Sequence, residues 1–147
     1  MQHKTTKGSC LCGSVSYQLS GPIKVFQYCH CSRCQKSTGS AHAANIIIDP
    51  VHFQWLSGEV LVGRYELEEA KYFATSFCKK CGSSLPWLTK TGQAVVIPAG
   101  TLDDDPQVRP RHNIYCKDKA PWYIAVGELE QYEELPPKSD KKMTNEK

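Results

Sequence analysis

Residues 28–34 read YCHCSRC. Three cysteines, Cys29, Cys31 and Cys34, crowd into this short stretch, and that density reads as a ligand cluster rather than as packing. Two cysteine pairs flank it. Cys10 and Cys12 lie in CLCG before it, and Cys78 and Cys81 lie in CKKCG after it. Seven thiols therefore divide unevenly, two split pairs against one compact set of three. The rest of the chain reads as a scaffold that closes around these segments.

Composition narrows the setting. A chain of 147 residues with 40% hydrophobic content fits one domain with a core. The net charge is +3, and residues 138–147 carry four lysines against Asp140 and Glu146, so most of the excess sits in that stretch. A nearly neutral body gives no electrostatic footprint for nucleic acid or for an anionic membrane. The start, MQHKTTKGSC, has no apolar run of the secretory kind, and no stretch approaches the ~18 apolar residues of a membrane span. A cytoplasmic protein is expected. In a reducing compartment, eight cysteines argue for metal over disulfides, and Cys-x-Cys makes a poor local disulfide ring.

Periodicity predicts a mainly β fold. Val15, Tyr17 and Leu19 alternate with Ser14, Ser16 and Gln18, the pattern of a half-buried strand. Further strands are expected at residues 25–28, 43–48, 53–56, 60–67, 71–77, 85–88, 94–97 and 113–115. Asp49-Pro50 ends one of them, because proline cannot donate to a ladder. Helix is limited to a short turn near 32–37 and a weak one near 128–135. The expected architecture is a small zinc-binding domain of short antiparallel strands over residues 1–136. Residues 137–147 are expected to form a disordered charged tail.

The cysteine spacing predicts two zinc ions. Cys78-x-x-Cys81 supplies half of a tetrahedral site on one tight turn, and Gly82 permits positive φ just after the second ligand. Cys10-x-Cys12-Gly13 is the natural other half. Cys10, Cys12, Cys78 and Cys81 are thus read as a closed structural site. Cys29, Cys31 and Cys34 remain, and three protein ligands with an open fourth position is the pattern of catalytic zinc. His30 sits between two ligands on extended backbone, so its side chain should point away and serve packing or support. Cys116 reads as a small buried hydrophobe, the alternative being a fourth ligand of the second site.

Other candidates have plainer roles. Asp103, Asp104 and Asp105 before Pro106 read as a solvated turn rather than a cation site. Trp55, Trp87 and Trp122 belong to core packing by default, with a substrate pocket as the alternative. Arg33 is either solvent-facing or a carboxylate binder. Arg109, Arg111 and His112 form a surface basic cluster unless they recognise an anion.

The ordered segments GSCLCGSVSY, YCHCSRCQKSTGS, FCKKCGSSL, GTLDD and HNIYCKDKAPWY resemble the glutathione-dependent formaldehyde-activating enzyme family, to which centromere protein V is also similar. The likeness runs over roughly residues 8–123. It implies a β-tent-like fold, a structural zinc on Cys10, Cys12, Cys78 and Cys81, and a catalytic zinc on Cys29, Cys31 and Cys34. It also implies a carbon–sulfur lyase that joins a thiol such as glutathione to a small aldehyde such as formaldehyde. Cys116 departs from the expected pattern. Fold alone does not carry function. The alternative is a non-enzymatic protein-interaction module with two structural zincs. A nucleic-acid-binding zinc ribbon fits less well, because the body is not basic.

Overall fold

The structure, a computed structural model, describes residues 4–138. The expected tail therefore lies outside the described residues from position 139 onward. Eleven short strands and one α-helix follow in order: β1 (Thr6–Ser9), β2 (Ser16–Leu19), β3 (Ile23–Cys29), α1 (Ser32–Thr38), β4 (Ala43–Ile48), β5 (Phe53–Ser57), β6 (Val62–Glu66), β7 (Ala74–Cys78), β8 (Ser84–Leu85), β9 (Trp87–Leu88), β10 (Val95–Pro98) and β11 (Asn113–Ile114). They form three sheets, ordered β1-β2-β5, β11-β3-β4-β10-β9 and β6-β7-β8. All pairings are antiparallel except β11 on β3, which is parallel and sets Ile114 opposite Cys29.

The main core lies between the first two sheets. Tyr17 and Leu19 of β2 meet Ile46 and Ile48 of β4 and Val95 and Ile97 of β10. The alternation read from residues 14–19 places Val15, Tyr17 and Leu19 inside. Each fully buried aliphatic side chain here contributes about 1.5–3 kcal/mol relative to exposure. Phe53 and Trp55 of β5 extend the core by ring contacts with Tyr17 at 5.6 and 6.2 Å. Trp55 thus packs against the core, and it also lines a cavity with Phe53 and Val95. Asp49 ends β4 by accepting a hydrogen bond from the Val51 amide at 3.1 Å, which starts a 3₁₀ turn at Pro50–His52.

Two smaller apolar clusters flank this core, and each contains one cysteine set. Val15 and Leu85 surround Cys10 and Cys78, while Ala43, Phe73 and Ile114 surround Cys29, Cys31 and Cys34. Several expectations need correction. The strand expected from residue 71 begins at Ala74, because residues 67–72 form a turn. Residues 60 and 61 belong to a 3₁₀ turn rather than to β6. Pro86 divides the strand expected at 85–88 into β8 and β9. Strand β1 was not expected from its polar sequence TKGS; it is held by its ladder to β2. The helix expected near 128–135 is a single 3₁₀ turn at Val126–Glu128. With Leu129, Tyr132 and Leu135 exposed, no buried face supports anything longer.

Candidate metal centres

Two turns build the first centre. Gly13 N–H closes the first turn on the Cys10 carbonyl at 3.0 Å, and Gly82 N–H closes the second on the Cys78 carbonyl at 2.7 Å. Both glycines have positive φ, +79° and +78°, which L side chains rarely adopt. The turns lie far apart in sequence. The fold brings them together, because β1 leads into one and β7 runs straight into the other. The four Sγ atoms lie within 4.8 Å of one another. Cys10 and Cys12 sulfurs are 3.6 Å apart, and those of Cys12 and Cys78 are 3.9 Å apart. A tetrahedron of metal–sulfur bonds of ~2.3 Å has edges of ~3.8 Å. The donor set and its spacing therefore fit a tetrahedral metal ion.

Two thiols of this centre, Cys12 and Cys81, are held below their ordinary value, while Cys78 is raised beside Cys81 and Cys10. The Val15 amide donates to Cys10 Sγ at 3.2 Å. The Ser83 hydroxyl lies 3.3 Å from Cys81 Sγ, and with its own backbone amide it lowers that thiol to about 5. The Ser14 hydroxyl and amide likewise pull the Cys12 thiol below its ordinary value. Neither serine was among the expected site residues. The signal was present, since Cys-Gly-Ser occurs at 12–14 and again at 81–83.

The second centre is assembled locally. Cys29 ends β3, Cys31 caps α1, and Cys34 sits in the helix's first turn. The Cys31 sulfur accepts a hydrogen bond from the Cys34 amide at 3.4 Å, replacing the usual oxygen of an N-cap. The three Sγ atoms again lie within 4.8 Å of one another. Crowding splits their acidities. The Cys34 thiol donates to Cys29, which holds Cys29 down at about 6 and pushes Cys34 well up. A cation held by Cys29, Cys31 and Cys34 would replace this shared proton. The Asn45 amide points at Cys34 Sγ from 4.0 Å. Asn45 was also missed, although it is the lone polar side chain in the apolar run AANIII.

His30 turns away from the sulfurs, as the extended backbone implied. It is 1% exposed and its Nε2 lies 2.9 Å from Asn113 Oδ1. Gln35 adds a second tie, donating to the His30 and Asp118 carbonyls at 2.6 and 2.9 Å. Cys116 corrects an expectation. It is exposed rather than buried and belongs to neither sulfur group. The cause is local: Tyr115, at φ +55°, turns the chain outward into the 3₁₀ turn Cys116–Asp118.

The two centres differ in their surroundings. A cavity of about 680 Å³ opens beside Cys29, Cys31 and Cys34, with walls that include Phe73, Trp87 and Ile114. Its size falls in the range of small-molecule sites, about 300–1,000 Å³. Trp87, read by default as core, thus lines a pocket, while Trp122 is exposed. Cys10, Cys12, Cys78 and Cys81 do not line this cavity. The basic cluster is dispersed, because Arg109 pairs with Asp105 at 2.8 Å and His112 bonds Gln27 Oε1 at 2.9 Å. The aspartates lie on an exposed bend, two of them tied to β1. Asp103 accepts from the Ser9 hydroxyl and Asp104 from the Lys7 amide.

Comparison with known proteins decides the family. The family model described as "Glutathione-dependent formaldehyde-activating enzyme" matches residues 5–118, a span that includes all eight cysteines. The chain belongs to this family. Membership supports an enzyme that, at family level, activates formaldehyde with glutathione. No curated protein matches the sequence. Among solved structures, the crystal structure of a protein from Rhodobacter sphaeroides aligns with a TM-score of 0.53 and 22% identity. It covers 73% of this chain and 98% of that one, and at this identity it shows the fold alone. Among the described residues, no helix is long and apolar enough to cross a membrane.

Proposed function

We propose that this chain is a zinc-dependent carbon–sulfur lyase of the S-(hydroxymethyl)glutathione synthase type. One zinc would be structural, on Cys10, Cys12, Cys78 and Cys81. The other would be catalytic, on Cys29, Cys31 and Cys34. The observation that carries the reading is the contrast between a four-thiol set and a three-thiol set that borders a cavity. In the synthetic direction the thiol sulfur attacks the aldehyde carbon. The S–C bond forms, the carbonyl π pair becomes an alkoxide, and a proton converts it to the hydroxymethyl product. The reverse step breaks S–C and releases the aldehyde. Cys29, Cys31 and Cys34 would hold the zinc, which when bound would supply Lewis acidity that acidifies a thiol or polarises an aldehyde oxygen.

The chain's own residues prepare this reaction. Three sulfurs are held by a strand end, a helix cap and a helix turn, so little reorganisation is needed on binding. Phe73, Trp87 and Ile114 give the cavity an apolar section of wall beside the sulfurs. The Asn45 amide stands 4.0 Å from Cys34 Sγ, on the side of the sulfur that faces β4. The Nε2 atoms of His30 and His112 are taken by Asn113 and Gln27, His30 Nδ1 is buried without a hydrogen-bond partner, and the proton of the incoming thiol is lost to solvent. The cytoplasm, where thiols stay reduced, is the compartment that suits this chemistry.

The test is a metal-replete activity screen over several thiols and aldehydes, together with metal analysis of reduced protein. Close to two zinc ions per chain and reversible adduct formation with glutathione and formaldehyde are expected. Two tightly held zincs without turnover of any thiol would favour the non-enzymatic module.

A further inference from the structure

The cavity beside the three thiols has a chemical character that its metal ligands do not explain. Two cations line it, Arg33 from α1 and Lys71 from the turn after β6. Both are exposed. The ion pairs among the described residues are Arg64–Glu66 and Arg109–Asp105, so neither cavity cation is neutralised by a salt bridge. Lys71 lies over the Tyr72 ring at 5.3 Å, which leaves its charge intact. Asp118 also lines the cavity, and Glu69 lines an adjoining groove that includes Arg33.

The turn that carries Lys71 is held by a backbone clamp. The Lys90 ammonium donates to the carbonyls of Leu67, Glu68 and Ala70 at 2.8, 3.3 and 2.7 Å. An ammonium has three donors, and all three are used. The Lys90 amide adds a bond to the Tyr72 carbonyl at 3.0 Å. Lys90 therefore has nothing left for a ligand. It fixes the turn on which Lys71 and Tyr72 stand.

Electrostatics gives the cations a task. With a metal held by Cys29, Cys31 and Cys34, three thiolate ligands would make the cavity floor negative, and an entering thiolate would add to that charge. A divalent ion offsets only part of it. A thiol that also carries carboxylates is repelled unless cations meet those carboxylates. Arg33 suits a carboxylate in bidentate fashion, and Lys71 acts as a point charge.

We propose that Arg33 and Lys71 form an anion-recognition pair that selects a carboxylate-bearing thiol, with Lys90 as the positioning residue that holds Lys71 in place. This rests on the lyase reading and names the specificity-determining residues of the same site. Arg33→Gln and Lys71→Gln each remove one charge-assisted contact and should weaken such a ligand about tenfold.

The probes are S-methylglutathione and its dimethyl ester, with binding to zinc-replete protein followed by calorimetry. The free acid should bind the wild-type protein more tightly than the ester. Arg33→Gln and Lys71→Gln should weaken the acid and leave the ester unchanged, while Lys36→Gln, a charge control on the adjoining groove, should change neither. Lys90→Met should weaken the acid as Lys71→Gln does, and the double variant Lys71→Gln/Lys90→Met should be no worse than either alone. Additive losses would overturn the positioning role. Equal binding of acid and ester by the wild-type protein, with thiol–aldehyde turnover intact, would overturn the anion pair alone. Binding of neither probe, with no turnover of any thiol, would overturn the pair and the lyase reading together.

Discussion

The two sulfur groups use one side chain under opposite constraints. Cys10 and Cys12 reach Cys78 and Cys81 only because the chain between them has folded, so this centre links the β1–β2 turn to the β7–β8 turn. Cys29, Cys31 and Cys34 are neighbours in sequence, and a strand end with one helical turn brings them together. A distant cross-link removes conformational freedom from the unfolded chain, whereas a local one removes little. The first group also sits with Val15 and Leu85, while the second borders a cavity. On the function proposed above, the sulfurs that close a long loop would stabilise the fold, and those at the cavity wall would meet a ligand.

The largest expected effect tests that division directly. Cys81→Ser should abolish cooperative folding at ordinary temperature, because structural zinc contributes on the order of 10 kcal/mol in small zinc peptides. Cys31→Ser should lose one metal ion and activity yet keep a cooperative thermal transition. Circular dichroism melts with parallel elemental analysis make the comparison. Equal damage from both substitutions would erase the distinction between the centres.

A smaller effect separates the turn from its ligands. Alanine at position 82 meets nothing within 4 Å, so its cost comes from the +78° φ alone. That cost is about 1–2 kcal/mol for an L residue. Gly82→Ala should lower the urea midpoint without changing the visible spectrum of cobalt bound at the second centre. A change in that spectrum would mean that the two centres are mechanically coupled.

How far the sequence revealed this molecule depended on range. The alternation at residues 14–19 gave the strand and its buried face, because period-2 patterning is local. Residues 43–48, rich in β-branched side chains, matched β4 end for end. The cysteine grouping was legible because coordination needs four donors and the spacing left few ways to share seven thiols. What was hidden depends on distant partners. β1 looks like loop until β2 lies beside it, and Lys90 looks like a surface lysine until the 67–70 turn folds over it. Cys116 was misread because thiols are usually buried, whereas the left-handed Tyr115 that turns it outward has no signature in sequence.

The smallest expected effect concerns protons, and Ser83 carries it. The Cys81 thiol stands at about 5 against an ordinary value of 9.0, chiefly through the Ser83 hydroxyl. A depressed pKa favours the thiolate at all pH above it, and this advantage is lost as pH falls through about 5. Metal and proton compete for the same sulfur, so acid strips the metal once the proton wins. Ser83→Ala removes the hydroxyl, raises the Cys81 pKa and gives the proton its advantage at higher pH. The zinc-release midpoint of the first centre should therefore move upward in pH. The Cys31→Ser background isolates that centre, and a chromophoric chelator reads the released zinc across a pH titration. The second centre should not respond, since Cys29 is held low by Cys34 rather than by a serine. In the Cys31-intact protein, only one of two release steps should shift. If both steps shift, or neither does, the Cys-Gly-Ser turn is not what sets the acidity of the first centre, and the contrast between the two centres rests on loop closure alone.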